Sequence, residues 1–299
     1  MLRLVCILTI LLTVLSYPLS SQTLLLQREW IVVRYHPDDS RMVEHIFQIV
    51  QSHYSLLRMN LGVEFTGTLD IYLAANGADF GRNTGWRLPP WVQAVAMPDE
   101  NRVVLKSPRW SGSQIDLGRA AVHEFVHILI AREIGDIPRW LNEGLAVMLS
   151  GEIYFDDEAI SAAALSGRLL SFGEIEEMMR FNGFKAALAY QQSLSAVQYL
   201  VSQFGWEAVR RITAEMRRGV NFEEAFENAT GMQVWEFELE WEATRGRMHR
   251  LTLLKDLNQY IAYLFAPLAL LAGLFLYLRR RRIRKRWEDE EEHFDLSDY

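Results

Sequence analysis

The sequence predicts an α+β domain: an N-terminal mixed β-sheet with an edge hairpin, followed by a mainly α-helical lobe. Three observations carry this reading. The segments that read best as strands all lie before residue 107, almost everything from Asp116 to Arg250 has helical spacing, and no internal repeat relates the two parts. Of the 299 residues, 50% are apolar and 23% charged, so the chain can bury a core and is not a disordered polymer.

Residues 30–35 read as a strand, and 39–58 as a helix with Met42, Ile46, Ile49, Val50 and Leu57 on one face. A second strand is expected at 68–73, ending in an Asn76-Gly77 turn. A Gly- and Pro-rich loop follows at 81–90, with Trp86 and Trp91 in or beside it. Residues 92–97 and 102–106 read as two strands joined through Pro98-Asp99-Glu100-Asn101, a hairpin signal. Helices are expected at 116–134, 140–150, 157–169, 173–180, 184–204, 206–217, 222–228 and 232–250. Within the last, residues 235–242 also alternate with period two and fit a strand, but their helical neighbours and glutamates favour a helix.

The two ends carry targeting signals. Residues 1–22 combine Arg3, an apolar stretch from Leu4 to Leu15 and small residues Ser20 and Ser21, the pattern of a secretory signal peptide, either cleaved or retained as an anchor. Residues 260–278 are uncharged and mostly apolar, long enough at 1.5 Å per residue for a transmembrane helix. The cationic run Arg279, Arg280, Arg281, Arg282, Arg284, Lys285 and Arg286 follows at once and places the tail, 279–299, in the cytoplasm. Residues 23–255 are then an extracytoplasmic domain whether or not the leader is removed.

Charge and cysteine usage narrow the chemistry. The net charge of -7 includes that basic run, so the body is mildly acidic and unsuited to nucleic acid. Cys6 is the single cysteine and lies in the leader, which leaves the body without disulfides or thiolate ligands and points to a bacterial source. Any metal must sit on His, Asp or Glu.

Such a set is present. His123-Glu124-Phe125-Val126-His127 is an HExxH motif inside the predicted 116–134 helix, whose two imidazoles lie one turn apart on one face. Glu124 sits about 100° round the helix from His123, beside an ion and not on it, where it can take a proton from an activated water. Val122, Val126, Leu129 and Ile130 make the other face apolar, and Gly135 and Pro138 end the helix so the chain can double back. Glu143 then returns a carboxylate on the next helix, completing three ligands and leaving a fourth position open. His36, His45, His53, His249 and His293 show no ligand spacing with one another.

HEFVH followed by Trp140-Leu141-Asn142-Glu143-Gly144-Leu145-Ala146 resembles the gluzincin metallopeptidases, most closely the short peptidase-MA-like domains and more distantly the aminopeptidase N and thermolysin families. That resemblance implies a zinc ion held by His123, His127 and Glu143, with Glu124 as catalytic base. Tyr190, in Tyr190-Gln191-Gln192-Ser193, is similar in context to the tyrosine that stabilises the tetrahedral intermediate in aminopeptidase-N-like enzymes, although ordinary core packing explains a helical tyrosine equally well. Two features depart from those larger families. The hairpin strand reads Ala94-Val95-Ala96-Met97-Pro98 where aminopeptidase N enzymes carry an amine-anchoring GxMEN motif. Ala146 and Val147 offer no carboxylate to support a metal-bound histidine, so another group must do so.

The expected activity is peptide-bond hydrolysis by a membrane-anchored zinc metallopeptidase acting on a peptide or protein outside the cytoplasm. Its partners are that substrate and the lipid bilayer, with no nucleic acid, and strand 92–97 is the expected edge for pairing with an extended substrate. The rival expectation is an inactive peptidase-like domain serving as a membrane-tethered binding or scaffold module.

Overall fold

The computed structural model describes residues 23–85, 88–112, 114–152, 163 and 168–295, the side chains of 246–264, 266 and 288–295 excepted. The leader at 1–22, Trp86 and nearly all of the helix expected at 157–169 lie outside the described residues. Two compact units are present among the described residues, one holding the sheet and the helices up to Leu239, the other the chain from Glu240 onward with Ala163 and Arg168.

The sheet has five strands: β1 (Leu24–Arg28), β2 (Ile31–Tyr35), β3 (Leu69–Ala74), β4 (Ala94–Met97) and β5 (Arg102–Lys106), in the order β1-β2-β3-β5-β4. β2, β3 and β5 run parallel, with Val33 opposite Ile71 and Ile71 opposite Val103, and antiparallel strands close both edges. Parallel strands covered by helices read as apolar runs, and Val33, Leu69, Ile71, Val103 and Leu105 are all fully buried. β1, which the sequence reading missed, is half of a hairpin with β2 and mostly exposed; its Leu24-Leu25-Leu26 run neither alternates with polar residues nor is buried, so it gave no strand signal apart from the apolar leader that precedes it. The predicted hairpin is present: β4 pairs with β5 through a 3-10 turn at Pro98–Glu100 and a left-handed Asn101.

Helix α1 (Ser40–Leu61) crosses between β2 and β3 and buries Val43, Ile46, Phe47, Val50 and Leu57. The Asn76-Gly77 pair does not make the expected turn. Asn76 instead caps helix α2 (Gly77–Thr84), its Oδ1 accepting from the amide of Asp79, so the first part of the expected 81–90 loop is helical. α3 (Pro108–Ser111) is one turn. The helical lobe continues with α4 (Leu117–Glu133), α5 (Arg139–Ser150), α6 (Phe172–Ile175), α7 (Gly183–Met216), α8 (Phe222–Thr230) and α9 (Val234–Asp295). The helix expected at 173–180 resolves into α6 and a separate 3-10 turn at Met178–Arg180. α7 is kinked at Gly205 (φ 70°), where the sequence places a break between two helices.

The 235–242 stretch is helical, in the first turns of α9. Among the described residues no helix is long and apolar enough to cross a membrane. Residues 260–264 and 266 of the expected span fall outside those whose side chains are described, so the span remains an expectation of the sequence.

Candidate metal centre

α4 is anchored at both faces. Asp116 at its N-cap accepts hydrogen bonds from the amides of Gly118 and Arg119 at 2.9 and 3.2 Å, satisfying two donors that a helix start leaves unpaired. Burial opposes ionisation of Asp116, but hydrogen bonding to His45, 2.7 Å away, and to these amides outweighs it and lowers its pKa. On the side away from the cleft Phe125 packs among Trp30, Tyr54 and Phe65. At the far end Arg132 hydrogen-bonds Asn101 at the tip of the β4–β5 hairpin, tying the edge strand to the motif helix.

The chain reverses at Gly135 (φ 111°), and α5 begins after Pro138, which supplies no side-chain cap. Glu176 from a distant segment does that work, Oε1 accepting from the Arg139 amide at 2.7 Å. With α4 and α5 packed together, Oε2 of Glu143 stands 3.5 Å from Nε2 of His123 and 3.4 Å from Nε2 of His127. The three atoms lie within 4.8 Å of one another.

These residues fit a zinc ion. Ligands about 2.0–2.1 Å from a tetrahedral centre are about 3.3–3.4 Å apart. The two His–Glu separations match that spacing closely. Oε2 of Glu143 is also buried with no hydrogen-bond partner, a costly state for a carboxylate oxygen unless a cation is its intended neighbour.

The outer nitrogens are occupied from the other side. Nδ1 of His127 is 2.7 Å from Oδ1 of Asn142, and Nδ1 of His123 is 2.8 Å from Oε2 of Glu152. The His123–Glu152 pair is a close ionic contact between two buried atoms that make no other hydrogen bond. Both contacts leave Nε2 facing Glu143. Asn142 had no role in the sequence reading beyond its place in the motif. Glu152 was missed, because it lies past the end of α5 and only the packing of α5 on α4 brings it to His123. It supplies the carboxylate that Ala146 and Val147, both buried and apolar, do not.

The charges are strongly coupled. Burial alone would lower the pKa of His123 and His127, but the carboxylates of Glu152 and Glu143 around His123, and of Glu143 beside His127, raise both. Burial alone would raise that of Glu143, and the two histidines instead hold it well below the ordinary carboxylate range. Glu124 moves the other way. Its pKa is raised, mainly by burial and further by Glu143 and Glu152, against the opposing effect of the histidines.

Glu124 and Tyr190 line the same cleft as the three candidate ligands, along β4 at Ala94, Val95 and Ala96. The Tyr190 ring is 6.1 Å from that of His123 and 6.4 Å from that of Trp91, whose Nε1 donates to the carbonyl of Phe181 at 3.1 Å. Residues 50–245, which include every residue of this centre and cleft, match the family model of the Peptidase MA superfamily. The chain belongs to that superfamily. No curated protein matches it. A metallopeptidase-like domain with a metal-competent His-His-Glu set is therefore established, and the member's hairpin strand, reading Ala94 to Met97, carries no acidic residue at the cleft edge.

Proposed function

We propose that this chain is a membrane-anchored zinc metallopeptidase that hydrolyses peptide bonds outside the cytoplasm. The observation that carries the reading is the buried Oε2 of Glu143, without a hydrogen bond of its own, placed 3.4–3.5 Å from two imidazole nitrogens. Zinc held by His123, His127 and Glu143 would supply Lewis acidity, polarising a carbonyl and bringing the pKa of water near 7.

The chain's own groups supply the rest. Glu124, with its raised pKa, accepts a proton from the attacking water and returns it to the leaving amine. Tyr190 donates a hydrogen bond to the oxyanion as the carbonyl becomes tetrahedral. β4 is an edge strand beside the cleft, so an extended peptide can add to it through backbone hydrogen bonds while its side chains enter the cleft.

Anchoring is supported by the uncharged 260–278 stretch with its following arginines, and by the exposure of Phe265, Leu268, Leu271, Leu274, Phe275 and Leu278 on α9, apolar side chains suited to lipid. A protease added outside spheroplasts should reach the 81–90 segment and spare an epitope placed after Arg286.

The deciding experiment is elemental analysis of the full chain, purified in detergent, together with a peptide-library screen. About one zinc per chain with cleavage of some peptides is the expected result. No zinc even after reconstitution would remove the reading, and zinc without any cleavage would favour a binding or scaffold module.

A further inference from the structure

The carboxylate of Glu152 reaches His123 through an arrangement that begins one turn earlier on the same helix. Arg119 does not line the cleft. Its Nη1 donates to the carbonyls of Ser150, at 3.1 Å, and Gly151, at 2.5 Å, the last turn and cap of α5. Helix ends leave such carbonyls unpaired and carry partial negative charge, so a guanidinium there both satisfies and neutralises them. Arg119 is itself braced, Nε lying 3.8 Å from Oδ2 of Asp116 at the α4 cap.

The chain then turns sharply. Gly151 is left-handed (φ 64°), and a Cβ there would strike the guanidinium of Arg119. Buried Ser150 pins the residue two positions on, its Oγ accepting from the Glu152 amide at 3.2 Å while donating to the carbonyl of Val147 at 3.1 Å. Glu152 therefore leaves the helix in one direction, with Oε2 buried against His123.

We propose that Glu152 is a positioning residue that fixes the ring orientation and tautomer of His123, and that Arg119, remote from the cleft, sets Glu152 through the backbone of the α5 end. A His ligand whose outer nitrogen is held by a carboxylate binds metal more tightly, and loss of the partner commonly costs about 10–100-fold in affinity. The inference rests on the metal reading above, and it makes a surface arginine part of the metal site's support.

The test is the zinc dissociation constant of the full chain in detergent, measured by competition with a chromophoric chelator, for wild type, Glu152→Gln, Glu152→Asp, Arg119→Met and the Arg119→Met/Glu152→Gln pair. Glu152→Gln should weaken zinc about 10–100-fold, with Glu152→Asp restoring part of the loss. Arg119→Met should weaken it by a smaller factor, and the double variant should match Glu152→Gln alone because both act along one route. The absorption spectrum of the cobalt-substituted chain should shift in Glu152→Gln, a change that loss of general stability would not produce. Zinc affinity within twofold of wild type in Glu152→Gln would overturn the proposal, as would additive losses in the pair or an Arg119→Met variant that melts earlier but binds zinc normally. Should Glu152→Gln fail to fold, Arg119→Met and Glu152→Asp decide by the same constant. Failure of wild type to bind zinc would instead strike the metal reading itself.

Discussion

Gly144 seats directly on Ser193: a Cβ at Gly144 would lie 2.7 Å from the Ser193 carbonyl carbon and 2.5 Å from Cγ2 of Val197. The absence of a side chain lets α5, which carries Glu143, approach α7, which carries Tyr190 three residues before that contact. Gly144→Ala should push the helices apart, costing about 1–3 kcal/mol of stability as overpacking does. It should also reduce turnover more than zinc content, because Tyr190 moves while the ligands on α4 and α5 keep their mutual geometry. A melting curve unchanged from wild type would show that the crossing has slack.

Glu124 and Glu143 are both glutamates of the same cleft with opposite pKa displacements, and their substitutions should separate cleanly. Glu124→Gln is expected to abolish peptide hydrolysis while zinc and fold persist. Glu143→Ala should release the metal, since one of three ligands is gone. Equal zinc loss in the two variants, read by elemental analysis, would refute this division.

Tyr190→Phe removes one hydroxyl and should lower kcat by about ten- to a thousandfold, with KM and zinc nearly unchanged, if the phenol acts on the oxyanion. Tyr190 serving only as packing would give the reverse: normal turnover, and a stability change of about 1 kcal/mol if a hydrogen bond is lost. Turnover and melting temperature measured on one preparation distinguish the two.

The raised pKa values of His123 and His127 make metal binding proton-coupled. In the metal-free chain, pairing of the His123 imidazolium with Glu152 and Glu143, and of the His127 imidazolium with Glu143, stabilises the fold fully below their ordinary value of 6.5 and is lost as pH rises through the raised values. Glu143, depressed, contributes above its ordinary 4.5 and loses its effect only as pH falls through its lower folded value. The triad thus favours the metal-free fold in mildly acidic solution. Metal requires neutral imidazoles, so zinc affinity should weaken as pH is lowered across the neutral range and binding at pH 7 should release protons. Calorimetry in buffers of different ionisation enthalpy measures that release, and a heat independent of buffer would count against it.

Much of this centre is legible in the sequence because its chemistry is local. His123 and His127 share a helical face by spacing alone, and Gly135 with Pro138 announces the reversal that returns Glu143. The buried strands were legible as apolar runs. β1 was not, since its three leucines lack period-two alternation and stay mostly exposed at the sheet edge, and Asn76-Gly77 was misread because asparagine serves turns and helix caps by the same side-chain hydrogen bond. Glu152 and Arg119 carry no motif. Their contacts depend on how α5 ends against α4, a matter of tertiary packing that spacing along the chain does not encode.

The helical reversal at Gly135 has a consequence for folding. All three candidate ligands lie on one αα-hairpin, none on the sheet, so the loop that must close to unite them is short and its entropic cost low. The hairpin can therefore gather a metal ion in a chain whose parallel strands, which depend on contacts distant in sequence, have not yet paired. An ion that also binds unfolded chains stabilises the native state by less than its native affinity implies. Zinc should act on this protein as an early organiser of folding more than as a late lock, speeding refolding by a larger factor than it slows unfolding.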